Sequence, residues 1–234
     1  MGYDAGLVAQ IRSALAQAGD PERAVGQQAY MKSTLPFHGL TTPELRRIVT
    51  PLLRQHAPSE RGTWEATVRE LWDGATHREQ RYAALALAEH RSARSWQDPS
   101  VLELHRHLIV TGAWWDMVDL VATRLVGPVL RAHRKTVTPV LDAWATEDDL
   151  WLRRTAILAQ LKHREETDTA LLQRCIEANL EGSRFGSEFF VRKAIGWALR
   201  EYAKTDPAWV LALVDRQADR LSGLSRREAT KHLR

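Results

Sequence analysis

One pattern limits the fold of this chain more than any other: a basic-pair position recurs along it at a nearly constant interval. Leu150-Trp151-Leu152-Arg153-Arg154-Thr155-Ala156 aligns with Phe189-Phe190-Val191-Arg192-Lys193-Ala194-Ile195 at an offset of 39 residues. Followed both ways, the pair falls on Arg46-Arg47, Gln80-Arg81, Met117-Val118, Arg153-Arg154, Arg192-Lys193 and Arg226-Arg227, with steps of 34 to 39 residues between second members. An interval in this range is that of two-helix units in helical-repeat solenoids, about 34 to 47 residues. Such a unit cannot bury its apolar face alone, so copies stack into a curved array with an extended concave surface. Equivalent positions of successive units then line up along one side.

Local signals agree that the units are helical. Asp20-Pro21-Glu22, Thr42-Pro43-Glu44, Asp98-Pro99 and Asp206-Pro207 each place a capping residue before a proline suited to the first helical turn. Thr146-Glu147-Asp148-Asp149 and Ser225-Arg226-Arg227-Glu228 resemble capping boxes, the second more strictly. Ala156, Ile157, Gln160 and Leu161 recur at helical spacing, as do Ile195, Leu199 and Tyr202. No segment alternates like a strand, and Asp73-Gly74 reads as a helix end. The expectation is an all-α, HEAT-like helical-repeat solenoid with a concave basic groove, one domain over residues 1–234. The stretch from Glu181 to Ser187 reads as its most loop-like part.

Composition narrows the class. Hydrophobic residues make up 44% of the chain and charged residues 26%, which supports a packed core. The single cysteine, Cys175, excludes an internal disulfide and fits a reducing compartment. Neither a secretory signal nor an apolar run of membrane-spanning length is visible. The nine histidines show no metal spacing, and no phosphate-cradling glycine loop occurs, so no cofactor or metal is expected. A net charge of +4 permits a polyanionic partner. Along the stack, Arg47, Arg81, Arg154, Lys193 and Arg227 would form a cationic ladder able to track phosphates. The rung at Val118 lacks a cation.

That rung lies inside Trp114-Trp115-Asp116-Met117-Val118-Asp119, two indoles and two carboxylates in six residues. Trp115 and Asp119 are spaced i, i+4 and share a helix face. A ring face beside a carboxylate suits a cation. The missing rung would leave this acidic-aromatic spot unneutralised. Read alone, Trp115 is more often a core residue and Asp119 a surface ion-pair partner. Trp114 reads as core, Asp116 as structural or capping, and Trp64, Trp72, Trp96, Trp144, Trp151 and Trp209 as packing residues. Gly196 before Trp197 leaves room for another backbone or a ligand to approach.

With these residues in view, the chain resembles the AlkD-type DNA alkylation-repair glycosylases, built of HEAT-like repeats. The resemblance covers nearly the whole chain. It rests on Tyr30-Met31-Lys32, Glu70-Leu71-Trp72-Asp73, the Trp114–Asp119 hexapeptide, Trp151-Leu152-Arg153-Arg154, Phe189-Phe190 through Trp197, Leu199-Arg200-Glu201-Tyr202-Ala203-Lys204, and Ser225-Arg226-Arg227-Glu228-Ala229. It implies hydrolysis of the N-glycosidic bond of cationic alkylated purines, such as 3-methyladenine and 7-methylguanine, in double-stranded DNA. By that resemblance Asp119 is the carboxylate that stabilises the developing sugar cation, and Trp115 and Trp197 are aromatic walls beside the lesion. Arg154 would hold the backbone or the carboxylate. Tyr30 and Lys32 would contribute from the other side of the groove. Arg47, Arg81, Arg153, Arg192, Lys193, Arg226 and Arg227 complete the expected DNA contacts. A cytoplasmic, nucleoid-associated monomer is expected. The alternatives are a non-catalytic binder of DNA structures on the same scaffold and a protein-interaction scaffold, the latter needing an apolar groove where cations are inferred.

Overall fold

A computed structural model describes residues 2–233, and every regular element among them is helical. The fold is an all-α stack of helical repeats, and its packing divides into two compact units after Trp96. No described helix is long and apolar enough to cross a membrane.

The first unit holds α1 (Ala5–Gln17), α2 (Pro21–Met31), α3 (Thr42–His56), α4 (Arg61–Asp73), α5 (Arg78–Glu89) and a 3-10 turn, Arg91–Trp96. Its core is built from one stripe of each long helix: Leu7, Ile11 and Leu15 of α1, Leu45, Val49 and Leu53 of α3, and Trp64, Leu71 and Trp72 of α4 are buried. The Trp64 indole N–H donates to the Leu87 carbonyl at 3.1 Å, so the buried ring leaves no polar atom unsatisfied. Asp20 caps α2 with Pro21 in its first turn, as expected. For α3 the cap lies one residue earlier than expected. Thr41, not Thr42, accepts from the Glu44 amide, and the Glu44 carboxylate returns to the Thr41 amide at 2.7 Å. This reciprocal pair satisfies two end donors at once, which Thr42 cannot do at its spacing from Glu44. The helix α2 buries only Met31 and is tied down mainly by polar bonds, such as Gln27 to the Leu40 carbonyl at 3.0 Å.

The second unit opens with a 3-10 turn capped by Asp98, Pro99–Val101, and continues through α6 (Leu102–Gly112) and α7 (Trp115–Leu120). A π-helical turn, Val121–Val126, joins α7 to α8 (Gly127–Ala132) without a break in the helix. Then follow α9 (Arg134–Trp144), α10 (Leu150–Leu158), a 3-10 turn at Arg164–Glu166, α11 (Thr169–Glu177), α12 (Phe189–Tyr202), α13 (Pro207–Arg216) and α14 (Gly223–Ala229). The helices α7, α10, α12 and α14 pack each on the next, while α9 packs on α11. These are the two layers of a repeat stack. All six ladder positions fall in one helix of each pair: α3, α5, α7, α10, α12 and α14. Gly196 serves helix packing, not a ligand: a β-carbon there would meet Glu228 Cβ at 2.6 Å and Ser225 Cα at 3.2 Å.

Two expected capping boxes are corrected. Asp149, not Thr146, caps α10, its carboxylate accepting from the amides of Trp151 and Leu152 at 2.9 Å each. A carboxylate at that position satisfies two end donors and favours the helix dipole. At α14 the cap is Ser222; Ser225 lies inside the helix, and its hydroxyl donates across to the Arg192 carbonyl at 2.9 Å.

His105 of α6 is fully buried, and neither ring nitrogen has a hydrogen-bond partner among the described residues. Burial pushes its pKa down to about 3 from 6.5, so the folded chain keeps it neutral while the unfolded chain protonates it below 6.5. Stability therefore falls as pH drops from 6.5 toward 3. Replacing His105 by Leu removes both costs. Urea unfolding should show a gain of about 1–2 kcal/mol near pH 7. The gain should grow by up to about 1.4 kcal/mol for each pH unit below 6.5. An equal gain at pH 5 and pH 7 would contradict this account.

Candidate functional site

The site is assembled from three successive stacked helices of the second unit, α7, α10 and α12. Asp119 sits one turn after Trp115 in α7, and Arg154 projects from α10. The guanidinium grips the carboxylate with two parallel bonds, Nε to Oδ1 at 2.7 Å and a terminal nitrogen to Oδ2 at 2.8 Å. Its remaining terminal nitrogen donates to the Phe190 carbonyl of α12 at 2.5 Å. One side chain thus ties three repeats together. The Arg154 side chain is 5% exposed and that of Asp119 16% exposed. In so dry a place the two-pronged geometry is what makes the charge pair tolerable. The acidic-aromatic spot is therefore not left unneutralised by the missing rung at Val118. Val118 is itself fully buried, and the cation comes from the next repeat.

Asp119 is held between opposing influences. Burial raises its pKa above the ordinary 3.8, the Arg154 hydrogen bonds and charge pull it down, and Asp116 nearby raises it again; the net direction is upward. Both carboxylate oxygens already accept from Arg154, so the group is suited to electrostatic work and to orienting water more than to forming a covalent bond.

Aromatic rings back the pair. Trp114, the residue before α7, packs edge-on against Phe190 at 5.5 Å and tilted against Trp151 at 6.2 Å; Trp151 and Phe190 are 5.1 Å apart. Arg154 lies 5.9 Å from the Phe190 ring centre. Trp114 and Trp151 thus pack as read from the sequence. Trp115 and Trp197 are half-buried, and no described aromatic ring packs on either. Their faces differ in this from the clustered rings beside them.

The basic ladder divides by surroundings. Arg153 turns inward: its guanidinium donates to the carbonyls of Glu147 at 2.6 Å and Thr146 at 2.8 Å and to Asn179 at 3.3 Å. It closes the α9–α10 turn, as expected of an arginine that is 7% exposed. Lys193 is paired with Glu228 at 3.3 Å, and Arg200 shares the same carboxylate. Arg192 is half-buried, Arg226 is exposed and bonded to the Ala218 carbonyl, and Arg227 is exposed. In the first unit Tyr30 is 76% exposed, Lys32 ends α2 in the left-handed conformation, and Arg47 is exposed on α3. Arg81 lies over the buried Trp72 ring at 5.0 Å. Burial and the charge of Arg78 lower its pKa. Sequence reasoning missed Glu228 as the partner of Lys193 and the Phe190 carbonyl as a ligand of Arg154. A signal for both was present: Lys193–Glu228 and Arg154–Phe190 are 35 and 36 residues apart, about one repeat.

A buried ion pair wrapped in tryptophan and phenylalanine on stacked repeats marks the candidate site of an all-helical repeat protein. Its particular family is shown by comparison. A model of the DNA alkylation repair enzyme family matches residues 11–233, and the chain belongs to that family. It is also similar to the solved structure of a predicted DNA alkylation repair enzyme from Enterococcus faecalis, at 31% identity over 92% of this chain and 96% of that one, with a TM-score of 0.81. No curated protein matches the chain significantly.

The pair predicts an asymmetric response to mutation. Arg154→Ala leaves Asp119 buried without its cation and should cost about 3–5 kcal/mol in chemical unfolding. The Asp119 carboxyl should then titrate at higher pH than in the parent. Arg154→Lys should restore only part of the loss, because an ammonium cannot make two parallel bonds. Full restoration by lysine would show that charge alone matters.

Proposed function

We propose that the protein is a DNA glycosylase that releases cationic alkylated purines, such as 3-methyladenine and 7-methylguanine, from double-stranded DNA. The observation that carries this reading is the carboxylate of Asp119, clamped by two parallel bonds from Arg154 and one helical turn from the half-buried Trp115. The family assignment supports repair of alkylated DNA; the substrate and mechanism are inferred from the chemistry of the residues.

Alkylation at N3 or N7 places positive charge on the base, which makes it a good leaving group without an acid to protonate it. As the bond to the deoxyribose breaks, positive charge moves onto the sugar in an oxocarbenium-like state. Asp119 offers negative charge where that charge develops and orients the attacking water. Arg154 has two effects. It opposes the burial that would otherwise protonate Asp119, and it fixes both oxygens so that the carboxylate does not swing or attack. The half-buried indoles of Trp115 and Trp197 favour a cationic base and sugar over neutral ones. Exposed Arg47, Arg226, Arg227, Tyr30 and Lys32 serve the backbone, with Lys193 and Arg81 as partly engaged members of the same set. Arg153 is left out because its donors are occupied by the Glu147 and Thr146 carbonyls and by Asn179. No cofactor enters the reaction, and the protein acts as a monomer.

Methylated DNA incubated with the protein should release free 3-methyladenine and 7-methylguanine, while uracil and 8-oxoguanine stay in place. Asp119→Asn should lower release by roughly 100-fold or more while DNA binding holds or tightens. Near-normal release by that variant would reject the assignment and leave a DNA-structure binder as the reading. Because the pKa of Asp119 is raised, release should decline as pH falls, with its midpoint above the ordinary 3.8.

Glu228 gives a separate expectation for binding. Its carboxylate competes with phosphate for Lys193 and Arg200, so Glu228→Gln should tighten binding to undamaged DNA. It should also steepen the salt dependence, by up to about 0.9 in log–log slope per phosphate gained. An unchanged slope in Glu228→Gln, measured against Lys193→Ala, would place that cluster off the DNA.

A further inference from the structure

The helix that carries Asp119 is not regular. Between α7 and α8 the turn Val121–Val126 is π-helical, and the Gly127 amide donates to the Ala122 carbonyl, five residues back. A cause is in the sequence. In a regular α-helix the Pro128 ring would press on the Arg124 carbonyl, and Pro128 has no N–H to donate to it. Widening the turn before the proline relieves that clash, as π-turns do inside long helices.

The wide turn also changes which residues share a face. Asp119 meets Arg154 on α10. Gly127 meets the end of the same helix: a β-carbon at Gly127 would lie 2.5 Å from the Ala159 carbonyl, and the Gly127 carbonyl bonds the His163 ring at 3.0 Å. In a regular α-helix two residues eight apart are rotated by about 80° and cannot both face one neighbour squarely. If the π-turn absorbs one residue, the effective spacing becomes seven and the rotation about 20°. The Thr123 hydroxyl, inside the turn, donates to the Asp119 backbone carbonyl at 2.7 Å, a local bond one turn long.

We propose that the π-helical turn at Val121–Val126 is the positioning element of the site, a one-residue register insert that lets Asp119 face Arg154 while Gly127 seats on the end of α10. It rests on the catalytic role proposed for Asp119. Residues of the turn touch no substrate in this scheme; they act through the orientation of Asp119. The distinguishing consequence is that the length of the turn matters to a single residue, and its chemical detail does not. Removing the insert together with its cause leaves the two faces aligned. Adding a residue does not.

Two variants test this. In the first, Thr123 is deleted and Pro128→Ala is added, giving a regular helix with Asp119 and Gly127 seven residues apart. In the second, one alanine is inserted after Thr123 in the parent chain. The main readout is the Arg154 Nε–H signal in nitrogen-15 NMR, which slow exchange with water marks as bonded to Asp119. Thermal unfolding and base release from methylated DNA accompany it. The deletion variant should fold, keep the slowly exchanging signal, and keep release within about threefold of the parent. The insertion variant should lose the signal, and its release should fall by about 100-fold, the scale of an ångström's misplacement of a reacting group. The proposal is overturned if the deletion variant unfolds, if it folds without the Arg154 signal, or if the insertion variant keeps that signal. If the parent releases no base while the NMR signals behave as described, the glycosylase reading fails and the positioning role stands.

Discussion

The second unit depends on a guanidinium and a carboxylate that are both nearly dry. Leaving either alone in that setting would cost several kcal/mol, so the pair must form once α7 and α10 pack. Forming it requires two parallel bonds, and that demand fixes the rotation of α7 about its axis as well as its distance from α10. Arg154 then reaches α12 through the Phe190 carbonyl, so the same charge that neutralises Asp119 also sets the third helix. The rings of Trp114, Trp151 and Phe190 shut water out on one side and strengthen the interaction they enclose. Stability and orientation of the site thus come from one contact.

The same logic supports the proposed reading, in which the site acts on a cation that exists only in the transition state. A free buried carboxylate would take up a proton or draw any passing cation. One whose oxygens are both held by an arginine keeps its charge and has little freedom to form a bond. In the proposed reaction its field would act without reorganisation as charge appears on a sugar, the condition under which electrostatic stabilisation is most effective. In the same proposal the half-buried indoles of Trp115 and Trp197 would add attraction that follows the sign of the charge and not the shape of a base.

Four long-range polar contacts in the second unit share a separation of about one repeat. Asp119–Arg154, Arg154–Phe190, His163–Gly127 and Lys193–Glu228 are 35 or 36 residues apart. This is the signature of a stack in which each repeat speaks to its neighbour, so a substitution in one rung is felt chiefly by the adjacent rungs. It also means that a basic residue at a repeated position is not a free cation by default. Arg153 is spent on turn carbonyls and Lys193 on Glu228, while Arg227 in the equivalent position of α14 stays exposed.

What the sequence determined by itself was whatever is encoded within a few residues or one period. Asp20-Pro21 and Asp206-Pro207 mark helix starts because a cap and its target lie three residues apart, and the 34–39 residue interval marks the stack because repeats reuse one pattern. Trp115 and Asp119 could be placed on one face by spacing alone. Local ambiguity remained where several capping residues stood in a row, and packing chose Thr41, Asp149 and Ser222 among them. Only the tertiary structure decided that Asp119 is neutralised by Arg154, that Glu228 holds Lys193, and that the helix carrying Asp119 widens before Pro128. Those outcomes depend on how each helix is rotated against its neighbour. Rotation is set by the summed fit of buried side chains from two repeats, which no single stretch of sequence contains.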